Sequence, residues 1–167
     1  SVRTVHIERK AADSRNWEYI EIQNLPNAEI IQPALLQYPN GNVQLLARTN
    51  KGKIAESWSM DSGKTWQPLR LTELDNPNSG IDATVLKDGR AVLIFNDQEN
   101  FRTNLTLAVS QDGTRWSKKC LLESGGFPIY NEYSYPAIIQ ANDAKIHITY
   151  TYNRKYIKHA ILSLENL

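Results

Sequence analysis

An eight-residue motif that recurs at intervals of about 50 residues constrains this chain more than any other feature. The clearest copy is Ser59-Met-Asp-Ser-Gly-Lys-Thr-Trp66, and a shorter copy, Ser110-Gln-Asp-Gly-Thr-Arg-Trp116, follows it. Asp13-Ser-Arg-Asn-Trp17 keeps only the acidic and aromatic ends of the motif. The tryptophans that close the three copies are 49 and 50 residues apart. A period of this size is typical of repeat folds, and β-propeller blades have about this length.

The residue types in the motif predict a stabilised hairpin turn. The aspartate can accept hydrogen bonds from backbone N–H groups, and the glycine permits a positive φ. The hydroxyl side chains can add local bonds, and the tryptophan can cover the neighbouring strand. We therefore assign a structural role to Ser59, Asp61, Gly63, Thr65, Trp66, Ser110, Asp112 and Trp116.

Short apolar segments between turn signals predict thirteen β-strands and no helix of useful length. The turns Pro39-Asn-Gly41 and Lys87-Asp-Gly89 occupy equivalent first-hairpin positions. The strands divide the chain into residues 1–25 (outer strands of a blade), 30–72 (a blade), 80–123 (a blade) and 133–167 (an incomplete blade). The predicted fold class is all-β: about half of a six-bladed propeller of four-stranded antiparallel blades. Strand edges uncovered in this way favour self-association.

Composition excludes several classes of partner. The formal net charge is +1, so nucleic acid is not an expected partner. No apolar run approaches the roughly 20 residues of a membrane span. Cys120 is the only cysteine, so no internal disulfide forms, and His6, His147 and His159 lack the spacing of metal ligands. We therefore expect no metal and no cofactor.

In a propeller, the first strand of each blade lines the central channel, and ligands bind at one mouth of it. Polar residues that begin first strands, or that follow second strands, are therefore candidates for ligand binding. Arginine offers a bidentate fork to a carboxylate, and tyrosine can stack on a sugar ring. Together these residues predict a site for an acidic carbohydrate. The candidates are Gln32, Asn78, Ser79, Asp82, Glu132, Tyr133, Arg48, Arg102, Tyr152 and Arg154.

The motif resembles the Asp box of sialidases and their BNR-repeat relatives, and the resemblance sharpens these candidates. It implies arginines that hold a sugar carboxylate, a tyrosine nucleophile activated by a glutamate, and an aspartate acid/base. Arg102 lies eight residues before Ser110, as the third family arginine lies before an Asp-box serine. Tyr133-Ser134 fits the pair that contains the nucleophile, and Arg48 resembles the second arginine.

Two features depart from the family pattern. Gln32 stands sixteen residues before Arg48, where the resemblance implies the activating glutamate. Because an amide cannot take the proton of a phenol, either Glu132 or Asp82 substitutes, or the chemistry differs. The first arginine and the aspartate acid/base belong to the N-terminal half of the family domain, so we expect this chain alone to be inactive.

Three hypotheses follow for the intact protein. The first is a sialidase-like glycoside hydrolase that acts on an acidic or related terminal sugar, with this chain as its C-terminal half. The second is a glycan-binding propeller without turnover, which Gln32 favours. The third is a structural or protein-interaction propeller.

Overall fold

A computed structural model describes residues 3–125 and 131–166, and within them the chain is built from β-strands. Their regular structure comprises thirteen strands and one 3-10 turn, Leu164–Asn166. The strands are β1 (His6–Arg9), β2 (Glu18–Glu21), β3 (Ile30–Gln37), β4 (Val43–Thr49), β5 (Lys53–Ser59), β6 (Arg70–Asp75), β7 (Asp82–Val85), β8 (Ala91–Phe95), β9 (Asn104–Ser110), β10 (Ser117–Ser124), β11 (Tyr133–Gln140), β12 (Ile146–Tyr152) and β13 (Tyr156–Leu162).

The strands form four antiparallel sheets in which sequential strands are neighbours. β1 and β2 form a two-stranded sheet, β3 to β6 and β7 to β10 form four-stranded sheets, and β11 to β13 form a three-stranded sheet. Each predicted strand has a counterpart, although Val2, where the first prediction begins, lies outside the described residues.

The sixth strand lies further along the chain than predicted. The sequence predicts this strand over Gln67–Leu71, directly after the first Asp box, whereas the structure has it at Arg70–Asp75. The reason is that the Leu69 N–H bonds to the Gln23 carbonyl, 2.9 Å away, instead of to β5. Leu69 also packs into the apolar cluster between the first two sheets. Tertiary contacts therefore delay the start of the strand.

The sheets pack face to face, and the core lies between them in three layers. One apolar cluster joins the β1–β2 sheet to the β3–β6 sheet, a second joins the β3–β6 and β7–β10 sheets, and a third joins the β7–β10 and β11–β13 sheets. Strands β4, β5, β8 and β9 are almost wholly buried because both of their faces are covered. This is the arrangement of propeller blades, and the predicted class, an all-β partial propeller of four-stranded blades, is confirmed.

Both full Asp boxes form the turn that their sequence indicates. Asp61 Oδ1 accepts hydrogen bonds from the N–H groups of Lys64 and Thr65 at 3.1 and 2.9 Å. Asp112 Oδ1 accepts from the N–H groups of Thr114 and Arg115 at 2.8 and 2.9 Å. These bonds stabilise the carboxylate form and hold the pKa of both aspartates well below its usual range.

The remaining residues of the two boxes also match each other. The Ser59 and Ser110 hydroxyls accept hydrogen bonds from the backbone N–H of Gly63 and Gly113 at 2.8 and 2.9 Å. In each box the tryptophan Nε1 donates to the carbonyl of its own glycine, at 3.2 Å for Trp66 and 3.1 Å for Trp116. The two turns therefore share these bonds despite the difference in length.

The third copy has lost this structure. Asp13–Trp17 connects β1 and β2, as predicted, but its turn is closed by a bond from the Ser14 N–H to the Ala11 carbonyl. Trp17 is 65% exposed and does not belong to an apolar cluster of the described residues. Only the position of the motif survives here.

One face of the β11–β13 sheet is uncovered and partly apolar. Ile139 on β11 and Ile161 on β13 flank His147 across the sheet, and Ile157 lies further along β13. The exposed fractions of the three isoleucines are 60%, 52% and 72%. The equivalent faces of the two preceding sheets are buried against their neighbours, so this face has the composition of a surface that packs on another sheet.

We therefore predict that the 167-residue chain self-associates in solution through this face. Sedimentation equilibrium is expected to show a mass above that of the monomer, and Ile157→Lys is expected to shift the chain toward monomer by placing a charge in the contact. Met60→Lys is the control, because Met60 is equally exposed on the first Asp box. A monomeric wild-type chain at all concentrations would contradict the prediction.

No helix in the described part of the chain is long and apolar enough to cross a membrane.

Candidate functional site

Two of the first strands carry the same backbone irregularity, and it positions the candidate site. Gln32 on β3 and Tyr135 on β11 both have a φ of 51°, and each precedes a proline. Proline donates no hydrogen bond, so the ladder is interrupted and the register shifts, between Ile31 and Ala34 in one strand and between Ser134 and Ala137 in the other. Both side chains are exposed.

The three first strands converge at these bulges. Gly80, just before β7, is buried, and a Cβ atom on it would lie 3.3 Å from the Tyr135 ring and 3.8 Å from Gln32 Oε1. Because Gly80 has no side chain, the side chains of Gln32 and Tyr135 can both approach this position. A point where β3, β7 and β11 approach one another is the axis position expected of propeller first strands.

Two arginines flank Tyr135 at this point. Arg48, near the end of β4, donates from Nη1 to Gln32 Oε1 at 2.9 Å. Arg102, in the loop between β8 and β9, donates from Nη2 to the Asn78 carbonyl at 3.3 Å. Its guanidinium carbon lies 5.7 Å from the centre of the Tyr135 ring. Residues that are far apart in sequence thus surround one exposed phenol.

The arginines alter the electrostatics of this phenol. Hydrogen bonding and positive charge from Arg102, with a smaller contribution from Arg48, lower the pKa of Tyr135. Burial and the neighbouring charge of Arg102 lower the pKa of Arg48 in turn. The site therefore favours negative charge, on the tyrosine oxygen or on a bound ligand.

Two polar atoms at the site are buried without a hydrogen-bond partner among the described residues: Arg48 Nε and Glu132 Oε1. One is a donor and the other an acceptor, and leaving such groups unsatisfied costs about 1–3 kcal/mol each. Arg102 Nη1 is 3.8 Å from Glu132 Oε1, and Arg154 Nε is 2.9 Å from Glu132 Oε2. A polar ligand with both acceptors and donors would satisfy these atoms.

A pocket of about 370 Å³ adjoins Arg102. The loop before β9, the segment before β11 and the turn between β12 and β13 contribute its walls. It is lined by Phe101, Arg102, Thr103, Asn131, Glu132 and Arg154. Its volume suits a monosaccharide-sized ligand.

The structure does not place Tyr133 in this site. Tyr133 is only 1% exposed, whereas Tyr135 is 55% exposed. The Tyr133 ring packs against that of Tyr152, with ring centroids 5.3 Å apart. Burial and, to a smaller extent, the charge of Glu123 raise the pKa of Tyr133. Tyr133 was predicted as the nucleophile, and its side chain is buried away from the exposed phenol of Tyr135. Sequence reasoning chose Tyr133 because it is followed by Ser134, and it missed Tyr135 because the bulge that separates the two side chains was not foreseen.

Ser79 and Asp82 also have structural positions. Ser79 is fully buried, and its hydroxyl donates to Asn96 Oδ1 at 2.6 Å. Asp82 Oδ2 accepts from the Ile138 N–H at 2.8 Å and so joins β7 to β11, while burial raises its pKa. Ser79 was predicted to bind substrate and Asp82 to replace a catalytic glutamate; in the structure the polar atoms of both side chains bond within the protein.

The remaining candidates divide between the site and its surroundings. Asn78 contributes its carbonyl to Arg102, and Glu132 and Arg154 line the adjoining pocket. Tyr152 packs on Tyr133 and lies under the ammonium group of Lys158, 4.8 Å from its ring centre. The structure thus brings together Gln32, Arg48, Arg102, Glu132, Arg154 and Asn78, with Tyr135 in place of Tyr133. No group of three or more potential metal ligands occurs in residues 3–125 and 131–166.

Fold and site together define a β-propeller with a positively charged site where its first strands meet. A family model described as a BNR repeat-like domain matches residues 2–148. The chain belongs to this family. No curated protein matches it.

Solved structures of sialidases have the same fold. The NanB sialidase of Streptococcus pneumoniae aligns with a TM-score of 0.77 at 18% identity, over 97% of this chain and 28% of its own. A leech intramolecular trans-sialidase gives a TM-score of 0.78 at 19% identity, over 100% of this chain and 28% of its own. The intramolecular trans-sialidase of Ruminococcus gnavus gives a TM-score of 0.75 at 22% identity, over 100% of this chain and 39% of its own. This chain therefore spans about a third of the length of these proteins.

Proposed function

We propose that the intact protein is a sialidase-like glycoside hydrolase and that this chain supplies its arginine and tyrosine residues. The observation that carries the proposal is the placement of Tyr135 between Arg48 and Arg102 where three first strands meet. The sialidase structures that share the fold add support, because the leech enzyme was solved with 2,7-anhydro-Neu5Ac and the Ruminococcus gnavus enzyme with oseltamivir carboxylate.

The arginines account for the choice of an acidic sugar. A guanidinium group binds a carboxylate through two parallel hydrogen bonds, and Arg48 retains an unpartnered Nε in the described part of the site. Glu132 offers an unpartnered acceptor for a hydroxyl group of the same ligand. The combination fits a sugar that carries one carboxylate and several hydroxyl groups.

Tyr135 is proposed as the nucleophile. Its phenol loses a proton to water, since the two arginines stabilise the phenolate, and the oxygen then forms a bond to the anomeric carbon. The glycosidic carbon–oxygen bond breaks with its electron pair, and the departing oxygen takes a proton from a general acid outside this constellation. Water then cleaves the tyrosyl–sugar bond and releases the sugar.

A second candidate function rests on Gln32. Its amide oxygen and the Tyr135 ring both lie within 4 Å of a Cβ placed on Gly80, and an amide cannot accept a proton from a phenol. Arg48 and Arg102 would then hold an acidic glycan that is not cleaved. The intact protein would then be a glycan-binding propeller that binds acidic sugars without cleaving them.

Hydrolysis of a fluorogenic sialoside by the intact protein tests the first function against the second. Release of the fluorophore supports the hydrolase. Binding on a glycan array without release supports the glycan-binding propeller, and the absence of both contradicts the proposal.

Arg102 provides the first quantitative prediction for ligand binding. Arg102→Ala in the intact protein is expected to weaken binding of an acidic sugar by about 1.5–3 kcal/mol, the contribution of a charge-assisted hydrogen bond. Arg90→Ala is a matched control, because Arg90 pairs with Asp88 at 2.8 Å on the β7–β8 turn, away from the site. Calorimetric titration with N-acetylneuraminic acid gives the measurement, and equal affinities of the two variants would contradict the prediction.

A further inference from the structure

Gln32 is exposed, yet its side chain contacts the site in a specific way. Its Oε1 accepts a hydrogen bond from Arg48 Nη1 at 2.9 Å and lies near the position of a Cβ on Gly80. Its backbone adopts a left-handed φ of 51°, which is uncommon for a residue other than glycine. The bulge thus directs a neutral amide at a guanidinium group that also faces Tyr135.

We infer that Gln32 is a positioning residue, whose neutral amide fixes the Arg48 guanidinium beside Tyr135 without cancelling its charge. The bond restrains one end of Arg48, while its Nε remains buried and unpartnered within the described residues. A carboxylate at position 32 would make the same contact but form an ion pair.

The charges around Tyr135 show why neutrality at position 32 matters. Arg102 and Arg48 act on the phenol directly, Arg154 is within electrostatic range of it, and Arg3 is within range of Arg48. Among the described residues, the carboxylate that pairs with these arginines is that of Glu132, which is 2.9 Å from Arg154 and 3.8 Å from Arg102. Positive charge therefore exceeds negative charge, and Gln32 preserves the excess.

This excess has a consequence for ligand class. The guanidinium groups of Arg48 and Arg102 can stabilise a phenolate or an external carboxylate, but a fixed glutamate at position 32 would compete with both. Gln32 thus favours retention of an anionic ligand. The consequence for turnover rests on the proposed function, whereas the charge argument concerns residues of this chain alone.

The test is a pH titration of Tyr135 in this chain, monitored by NMR of ¹³Cζ-labelled tyrosine. The signal that is missing in Tyr135→Phe is assigned to Tyr135. Gln32→Glu is expected to raise the pKa of Tyr135 by about one unit, since a carboxylate at position 32 would pair with Arg48 and disfavour the neighbouring phenolate. Gln37→Glu is the control: it adds the same charge on the exposed end of β3 and is expected to leave the titration unchanged.

Gln32→Asn separates charge from contact. Asparagine tolerates the left-handed backbone and remains neutral, but it is too short to hold Arg48, so we expect a pKa between those of the wild type and Gln32→Glu. An unchanged titration in Gln32→Glu, or equal values for Gln32→Asn and Gln32→Glu, would overturn the inference. Because no substrate is added, absence of sialoside turnover would contradict the proposed function and leave this result intact.

Discussion

Replacement of Gly113 by alanine is expected to lower the free energy of unfolding by about 3 kcal/mol or more, the sum of a left-handed backbone penalty and overpacking. Gly113 has a φ of 74° in the second Asp box. A Cβ at this position would overlap the Tyr38 hydroxyl, and it would lie 2.7 Å from the Trp58 ring and 2.8 Å from Gln44 Oε1.

These neighbours cannot move away without breaking a buried hydrogen-bond network. The Tyr38 hydroxyl donates to Gln44 Oε1 at 2.7 Å, and Gln44 Nε2 donates to Glu56 and to the Gly113 carbonyl, both at 2.8 Å. Trp58 Nε1 donates to Glu56 at 3.0 Å. Burial, followed by the charges of Glu56 and Asp112, raises the pKa of Tyr38, so the hydroxyl remains a donor. The network ties one blade to the Asp box of the next.

Gly52→Ala is the matched control for Gly113→Ala. Gly52 has nearly the same backbone, with a φ of 73°, but nothing lies within 4 Å of its added Cβ. Gly52→Ala is therefore expected to lower the free energy of unfolding by the backbone penalty alone, about 1–2 kcal/mol. Urea denaturation of both variants gives the comparison, and equal losses would show that the overlap with Tyr38, Trp58 and Gln44 carries no energy.

The blade structure is predictable because its signals are local. The Asp boxes place acceptors, hydroxyls and glycine within eight residues, so their turns can be inferred without knowledge of the rest of the chain. Apolar alternation predicts the strands in the same way. The shift of β6 to Arg70–Asp75 depends on a bond between Leu69 and Gln23. Such a distant contact has no signature in the local sequence.

The site is less predictable because one residue decides which side chains face the axis. Tyr133 and Tyr135 are two positions apart, which on a regular strand places both on one face. The bulge at Tyr135 breaks this rule. A signal was nevertheless present: Gln32-Pro-Ala-Leu-Leu-Gln37 and Tyr135-Pro-Ala-Ile-Ile-Gln140 align residue by residue. In this alignment Tyr135, and not Tyr133, is the residue equivalent to Gln32.

Ser79 and Asp82 show why position at the start of a strand is not enough to identify a ligand contact. Short polar residues at strand starts resemble ligand contacts, yet here they join one blade to the next. The Ser79 hydroxyl donates to Asn96, whose amide donates in turn to the Tyr133 carbonyl at 2.9 Å. Position on the propeller is necessary for a site residue, but satisfaction of its polar atoms decides whether it is available.

The comparison of Tyr135→Phe with Tyr133→Phe in the intact protein has the largest expected effect on activity. Loss of the Tyr135 oxygen removes the proposed nucleophile and is expected to reduce sialoside turnover about 10³-fold or more, as loss of a nucleophile does in other hydrolases. Binding of N-acetylneuraminic acid is expected to change little, because Arg48 and Arg102 remain.

Tyr133→Phe is the internal control, since it deletes the same atom two residues away. The Tyr133 hydroxyl is buried near Asn131 and Glu123, so turnover is expected to stay within about threefold of the wild type, an effect below 1 kcal/mol on the activation free energy. The measurement is single-turnover release of the fluorophore, which separates the chemical step from product release. A large loss in Tyr133→Phe with normal turnover in Tyr135→Phe would return the nucleophile to position 133. Normal turnover in both variants would mean that neither tyrosine attacks the sugar and that water does so directly.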